Sequence, residues 1–122
     1  MTVLAEILVG LVAALHLGFL VLEMFLWNTP RGRATFGTTP DFAAESAALA
    51  ANQGLYNGFL SAGLAWALIA ADPVGFQAMV FFLVCVIIAG LYGAKTVSSR
   101  ILLLQALPAA LALVAVLLSR SM

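Results

Sequence analysis

Charge is what this chain of 122 residues has least of. Lys and Arg number five, Asp and Glu five, and together they make up 8% of the sequence with no net charge. Soluble domains average about 25%. Without a basic patch or a polybasic cluster, neither nucleic acid nor an anionic lipid surface is an expected partner. Histidine and cysteine occur once each, as His16 and Cys85. A lone cysteine forms no disulfide framework within a chain, and Cys85, among Val and Ile, reads as a packed apolar side chain. A structural zinc site needs four Cys or His ligands, and a haem held by two histidines needs a second one. No metal and no cofactor is therefore expected. G-x-S-x-G, P-loop and Rossmann fingerprints are also missing. No Lys or Arg precedes the first apolar run, which carries Glu6 instead and is too long for a signal core, so it reads as a retained span.

Apolar residues fill the space, at 65% of the chain and a mean hydropathy of +1.17. Four long apolar runs stand out, at about residues 3–27, 47–71, 74–94 and 101–119. Each reaches the roughly 20 residues a hydrocarbon core requires. The expected fold is an all-α membrane protein with one domain over residues 1–122. Its four transmembrane helices would form an antiparallel up-down bundle. Arg31 and Arg33 follow the first run, Lys95 and Arg100 the third, and only Arg120 lies on the opposite side. By the positive-inside rule both termini should be outside and the two basic connections cytoplasmic.

The segment after Trp27, NTPRGRATFGTTPDF, holds two prolines and two glycines and reads as an irregular loop. Thr39-Pro40-Asp41 then combines a capping hydroxyl, a first-turn proline and an acid suited to the helix dipole. The second helix is expected to start near Pro40 and run to about Ala71, extending beyond the bilayer at its cytoplasmic end. Asp72-Pro73 and Ser98-Ser99 mark the turns into the third and fourth spans. Links this short make antiparallel hairpins.

Within the first run, His16 and Glu23 are seven residues apart, about 10 Å along a helix and on one face. An intramembrane ionisable group costs about 2.5–3.5 kcal/mol on insertion scales and normally marks a functional interior. A carboxylate at that depth must be protonated, paired or reached by water. Candidate partners for Glu23 are His16, Gln53, Asn57, Lys95 and Arg100. The densest polar run inside any span is Asn52-Gln53-Gly54-Leu55-Tyr56-Asn57-Gly58. Gln53 and Asn57 share one face and Asn52 and Tyr56 another, while Gly54 and Gly58 let a second backbone approach closely. In the expected topology Glu23, Trp27, Asn52, Gln53, Tyr56 and Asn57 all fall in the cytoplasmic half. That convergence predicts one polar cavity there, with His16 at its deep end. The competing reading gives each polar group to its own helix interface.

The runs LEMFLWNTPRGRATFG (residues 22–37), TTPDFA and LAANQGLYNGFLSAGL make the chain similar to the small bacterial integral membrane proteins grouped as domain of unknown function 1304. The similarity covers nearly the whole chain. Its most specific parts are Glu23-Met24-Phe25-Leu26-Trp27, Thr29-Pro30-Arg31-Gly32 and the run from Asn52 to Gly58. It implies four spans in a bacterial inner membrane and carries no activity with it. It draws in Thr29, Pro30 and Arg31 as a loop that caps the cavity. Three functions compete. The first is binding or transport of a small lipophilic or cationic molecule, with Glu23 as proton or cation site. The second is an intramembrane acid–base enzyme on a lipid-like substrate. The third is a structural or accessory subunit. A chain this short shields a polar cavity poorly, so a homodimer is a further expectation.

Overall fold

The computed structural model describes residues 1–121. Its elements are helices α1 (Val3–Met24), α2 (Pro30–Phe36), α3 (Pro40–Ile69), α4 (Val74–Thr96) and α5 (Leu107–Ser121), with a π-helical turn, Leu102–Ala106, leading into α5. There is no strand among the described residues. The chain divides into two compact units. One is Met1–Ala14 with Ala62–Met122, the other Leu15–Ser61, and the divisions fall within α1 and α3.

Three helical stretches have the length and apolarity to cross a bilayer: Val3–Met24, Val74–Thr96 and Leu102–Ser121. That is one fewer than the four runs predict. The exception is α3, whose 30 residues include Asp41, Glu45, Asn52, Gln53 and Asn57. Its polar and small residues dilute a run that is apolar mainly in its second half.

Burial is arranged as lipid, not water, would require. Alanine supplies more than half of the buried apolar residues, while large apolar side chains face outward, Ile69 at 84%, Leu49 at 75% and Phe25 at 70% exposure. In water such a surface would be an association hazard. In a bilayer the tails are as apolar as Leu, so close packing of small residues is what holds helices together.

The unit containing α4 and α5 shows this seam most simply. From α4 it buries Gly75, Ala78, Met79, Leu83, Val86 and Gly90, and from the π turn and α5 it buries Ala106, Ala109, Ala112 and Val116. Apart from the adjacent Ala78 and Met79, both series step by three or four residues, as one face of a helix must. A Cβ on Gly90 would lie 2.7 Å from the Ala106 nitrogen and 3.0 Å from its Cα, so the two backbones meet directly. The π turn sits just before Pro108. Proline has no N–H to give to Leu104 and its ring crowds that carbonyl; the wider turn is closed by the Leu107 N–H donating to the Leu102 carbonyl.

The expected irregular loop after Trp27 is corrected in part, because it contains α2. Thr29 caps that helix by accepting the Gly32 N–H at 3.2 Å, Pro30 occupies its first turn, and Gly37 ends it at φ 69° in the left-handed region. The prolines and glycines that read as breakers are the two ends of a short helix. By contrast α3 starts at Pro40, as predicted, with Thr39 Oγ1 accepting the Phe42 N–H at 3.2 Å.

Candidate functional site

The unit Leu15–Ser61 contains the second half of α1, all of α2 and most of α3. Ala43, Ala50, Gly54 and Asn57 are its buried positions on α3, spaced by seven, four and three residues. This stripe is Ala and Gly until it reaches Asn57, which is only 5% exposed. A Cβ on Gly54 would come within 2.8 Å of the Met24 Cγ, 3.0 Å of the Glu23 Cβ and 3.3 Å of the Leu20 carbonyl oxygen. One on Gly58 would meet the Leu20 Cδ1 at 2.5 Å. The two glycines therefore lay α3 flush against the last turns of α1, and that contact sets Asn57 opposite Glu23. The Asn57 amide donates from Nδ2 to Oε1 of half-buried Glu23. The bond leaves the second carboxyl oxygen without a partner among the described residues.

Beside it, α1 has ended and the chain turns. Trp27 Nε1 donates to Ser46 Oγ at 3.0 Å, and Ser46 in turn donates to the Phe42 carbonyl at 2.7 Å. The Trp27 ring rests against Phe36 of α2, with centroids 4.9 Å apart. Thr29 donates to the Leu26 carbonyl at 2.6 Å as well as capping α2. Gly32 is obligatory, since a Cβ there would fall 1.9 Å from the Leu26 carbonyl oxygen. Arg33 donates to Asn28 Oδ1 at 2.9 Å.

Of the candidate site residues, Glu23 and Asn57 are brought together. Trp27 and Thr29 tie down the connection that follows Glu23, and Pro30 opens α2. Asn52, Gln53, Tyr56 and Arg31 lie on exposed faces, with Tyr56 edge-on to Phe59 at 5.9 Å. His16 is fully buried and stands edge-to-face with Phe19 at 5.2 Å. Lys95 and Arg100 belong to the other unit. His16 and Asn57 are the two buried polar side chains among the described residues. Leu20, on the same inward stripe of α1 as His16 and Glu23, completes the arrangement together with Ser46, which is not an expected residue. Ser46 had no readable signal, because a hydroxyl four residues after Phe42 reads as bonded to its own helix.

Among the described residues no group of three or more His, Cys, Asp or Glu could hold a metal ion. The arrangement offers a carboxylate at the end of an apolar helix, gripped on one oxygen by a buried amide and reachable from the surface. It can receive a proton or a cation.

Apolar helices with small-residue seams and outward-facing Leu, Ile and Phe make this an all-helical integral membrane protein. The chain belongs to the family described as Protein of unknown function (DUF1304), which matches it over residues 10–117. That match takes in α2, α4 and α5's seam residues as well as Glu23 and Asn57. No curated protein and no solved structure matches the chain.

Proposed function

We propose that the protein binds or carries a small lipophilic or cationic molecule, with Glu23 as its proton or cation site in the cytoplasmic half of a bacterial inner membrane. The single observation that supports this is the Glu23–Asn57 pair. A buried amide interrupts a stripe of Ala and Gly to hold a half-exposed carboxylate at the end of an apolar helix. Ionisable groups placed so are costly and serve pathways or ligands. In this reading α3 is the fourth span. Its 30 residues rise roughly 45 Å at 1.5 Å each, beyond the about 30 Å of a hydrocarbon core. Both termini then lie outside, with Arg31, Arg33, Lys95 and Arg100 in the cytoplasm. Exposed Asn52, Gln53 and Tyr56 on α3 support a homodimer that covers them.

The test uses the purified chain in nanodiscs with tetraphenylphosphonium as a lipophilic cation. Binding should weaken as pH falls, because proton and cation compete for one carboxylate. Glu23→Gln should remove binding while the helical circular dichroism is unchanged. Equal binding by the variant overturns the reading, as does absence of binding by the wild type at every pH. The close fit of Gly54, Gly58 and Gly32 favours a second reading, an accessory subunit whose polar groups serve assembly. That reading expects Glu23→Gln to lower the amount of protein in the membrane instead.

A further inference from the structure

A second polar feature lies in the unit formed by Met1–Ala14 and Ala62–Met122, apart from Glu23. Asp72, in the turn between α3 and α4, and Arg120, in the last turn of α5, form an ion pair at 3.4 Å. Both side chains are at least half exposed and the contact is long, so neither charge is used up by the other. The guanidinium lies 4.5 Å above the ring of Phe76, which fixes its height over the start of α4. Asp72, Phe76, Ser119 and Arg120 line a hollow of about 210 Å³.

Phe76 is also the first wall of a second space. A groove of about 460 Å³ runs from it along α4 past Val80, Phe81 and Val84, with Leu117 of α5 on its other side. From Phe76 to Val84 is eight residues, about 12 Å along the helix. A hollow lined by Arg120 and Asp72, with Met1 and Val116 beside them, thus shares the Phe76 ring as a wall with an apolar furrow parallel to a membrane-spanning helix. Two lone charges at a helix end could be ordinary interface residues, but the shared wall makes the combination amphipathic in the manner of a lipid.

We propose that this is a binding site for one zwitterionic glycerophospholipid with a primary ammonium headgroup, a phosphatidylethanolamine. Arg120 donates to the lipid phosphate, Asp72 accepts from the ammonium, and an acyl chain fills the groove from Phe76 to Val84. The charge order decides the class. A headgroup with phosphate alone satisfies Arg120 and is repelled by Asp72. A quaternary ammonium carries charge but has no N–H to donate to the carboxylate. A primary ammonium beside the phosphate meets both with charge, where a glycerol headgroup offers Asp72 only neutral hydroxyls. Bilayer tails surround the protein in any case, so the groove supplies position and the headgroup supplies selectivity.

The test is native mass spectrometry of the full chain released from nanodiscs made of equal parts phosphatidylethanolamine, phosphatidylcholine and phosphatidylglycerol with identical acyl chains. The wild type should retain phosphatidylethanolamine about threefold over either competitor, the scale that exposed charge pairs allow. Asp72→Asn should shift the preference to phosphatidylglycerol, because Arg120 is then unopposed. Arg120→Gln should abolish selectivity and Arg120→Lys should keep it, which separates loss of charge from loss of fold. Soluble glycerophosphoethanolamine, lacking acyl chains, should not displace the lipid. Equal retention of the three lipids by the wild type overturns the proposal, as does selectivity unchanged in both Asp72→Asn and Arg120→Gln. Displacement by the soluble headgroup overturns the role of the groove.

Discussion

The seam between α4 and α5 and the seam between α1 and α3 in Leu15–Ser61 solve the same packing problem with different residues. In the first, Gly75, Ala78, Met79, Leu83, Val86 and Gly90 meet Ala106, Ala109, Ala112 and Val116 without one polar side chain. In the second, Gly54 gives the same close approach after buried Ala43 and Ala50, but the next buried position is Asn57, and it faces Glu23. The first seam demonstrates that this chain brings helices together by apolar residues alone. Asn57 and Glu23 are therefore not needed to make a seam. Measured polar contacts between membrane helices contribute only about 0.6 kcal/mol on average, a small return for a carboxylate in that position. The comparison assigns stability to the glycines and alanines, and function to the pair that interrupts them.

The largest effect should come from the glycines whose missing Cβ is replaced by a neighbour's backbone. Gly32→Ala would drive a methyl to 1.9 Å from the Leu26 carbonyl oxygen, and neither partner can turn away. We expect a loss of about 3 kcal/mol in reversible unfolding in mixed micelles, at the upper end of overpacking costs. An unchanged midpoint would show that the turn after α1 does not contribute to stability. In the α4–α5 seam, Gly90→Ala should cost about 2 kcal/mol, since it meets backbone atoms of Ala106. Gly63→Ala meets only the Phe82 ring, nearest at 2.4 Å, which can swing aside toward lipid. It should cost less than half as much as Gly90→Ala in the same assay. If the two are equal, the apolar seam is not governed by backbone contact.

Much of this was legible in the residues. Thr39-Pro40-Asp41 announced α3 because a capping hydroxyl and a first-turn proline act locally, and the helix begins there. The same logic applied to Thr29-Pro30 would have given α2, with Gly37 as its stop. Gly32 and Gly37, so close behind Thr29-Pro30, make the segment read as a loop. Glu23 is legible through its cost, and Asn57 as one of its two candidate amide partners. The choice between those amides is not. Gln53 and Asn57 share a face by spacing, yet Gln53 is exposed and Asn57 buried. The helix is rotated so that Ala50, Gly54 and Asn57 face inward, and what fixes the rotation is the fit of Gly54 and Gly58 against Leu20, Glu23 and Met24. The small residues, more than the polar ones, carried the information about which way α3 points. The fourth span illustrates the same limit: length favoured it, but composition set α3 apart from the three apolar helices.

The smallest change in stability should come from the residue on which the function is staked. Asn57→Leu removes the donor and puts a branched side chain into a stripe of Ala and Gly. A loss of about 1 kcal/mol is expected, in line with polar contacts in membranes plus a packing mismatch. Glu23→Gln is different. The amide keeps the shape of the acid and an oxygen that can still accept from Asn57 Nδ2, while the Cβ that Gly54 packs against is unchanged. Unfolding should therefore move by no more than about 0.5 kcal/mol, because an amide oxygen takes the place of a carboxyl oxygen as acceptor in the same geometry. A much larger loss would mean that the carboxylate itself braces the helices. The contrast between the two seams would then vanish, since both would exist to hold the fold. A near-neutral result, with Asn57→Leu clearly worse, would instead separate the group that supports from the group that is supported: Asn57 anchored in the seam, and Glu23 held at its edge, free to exchange a proton or a cation without disturbing the helices behind it.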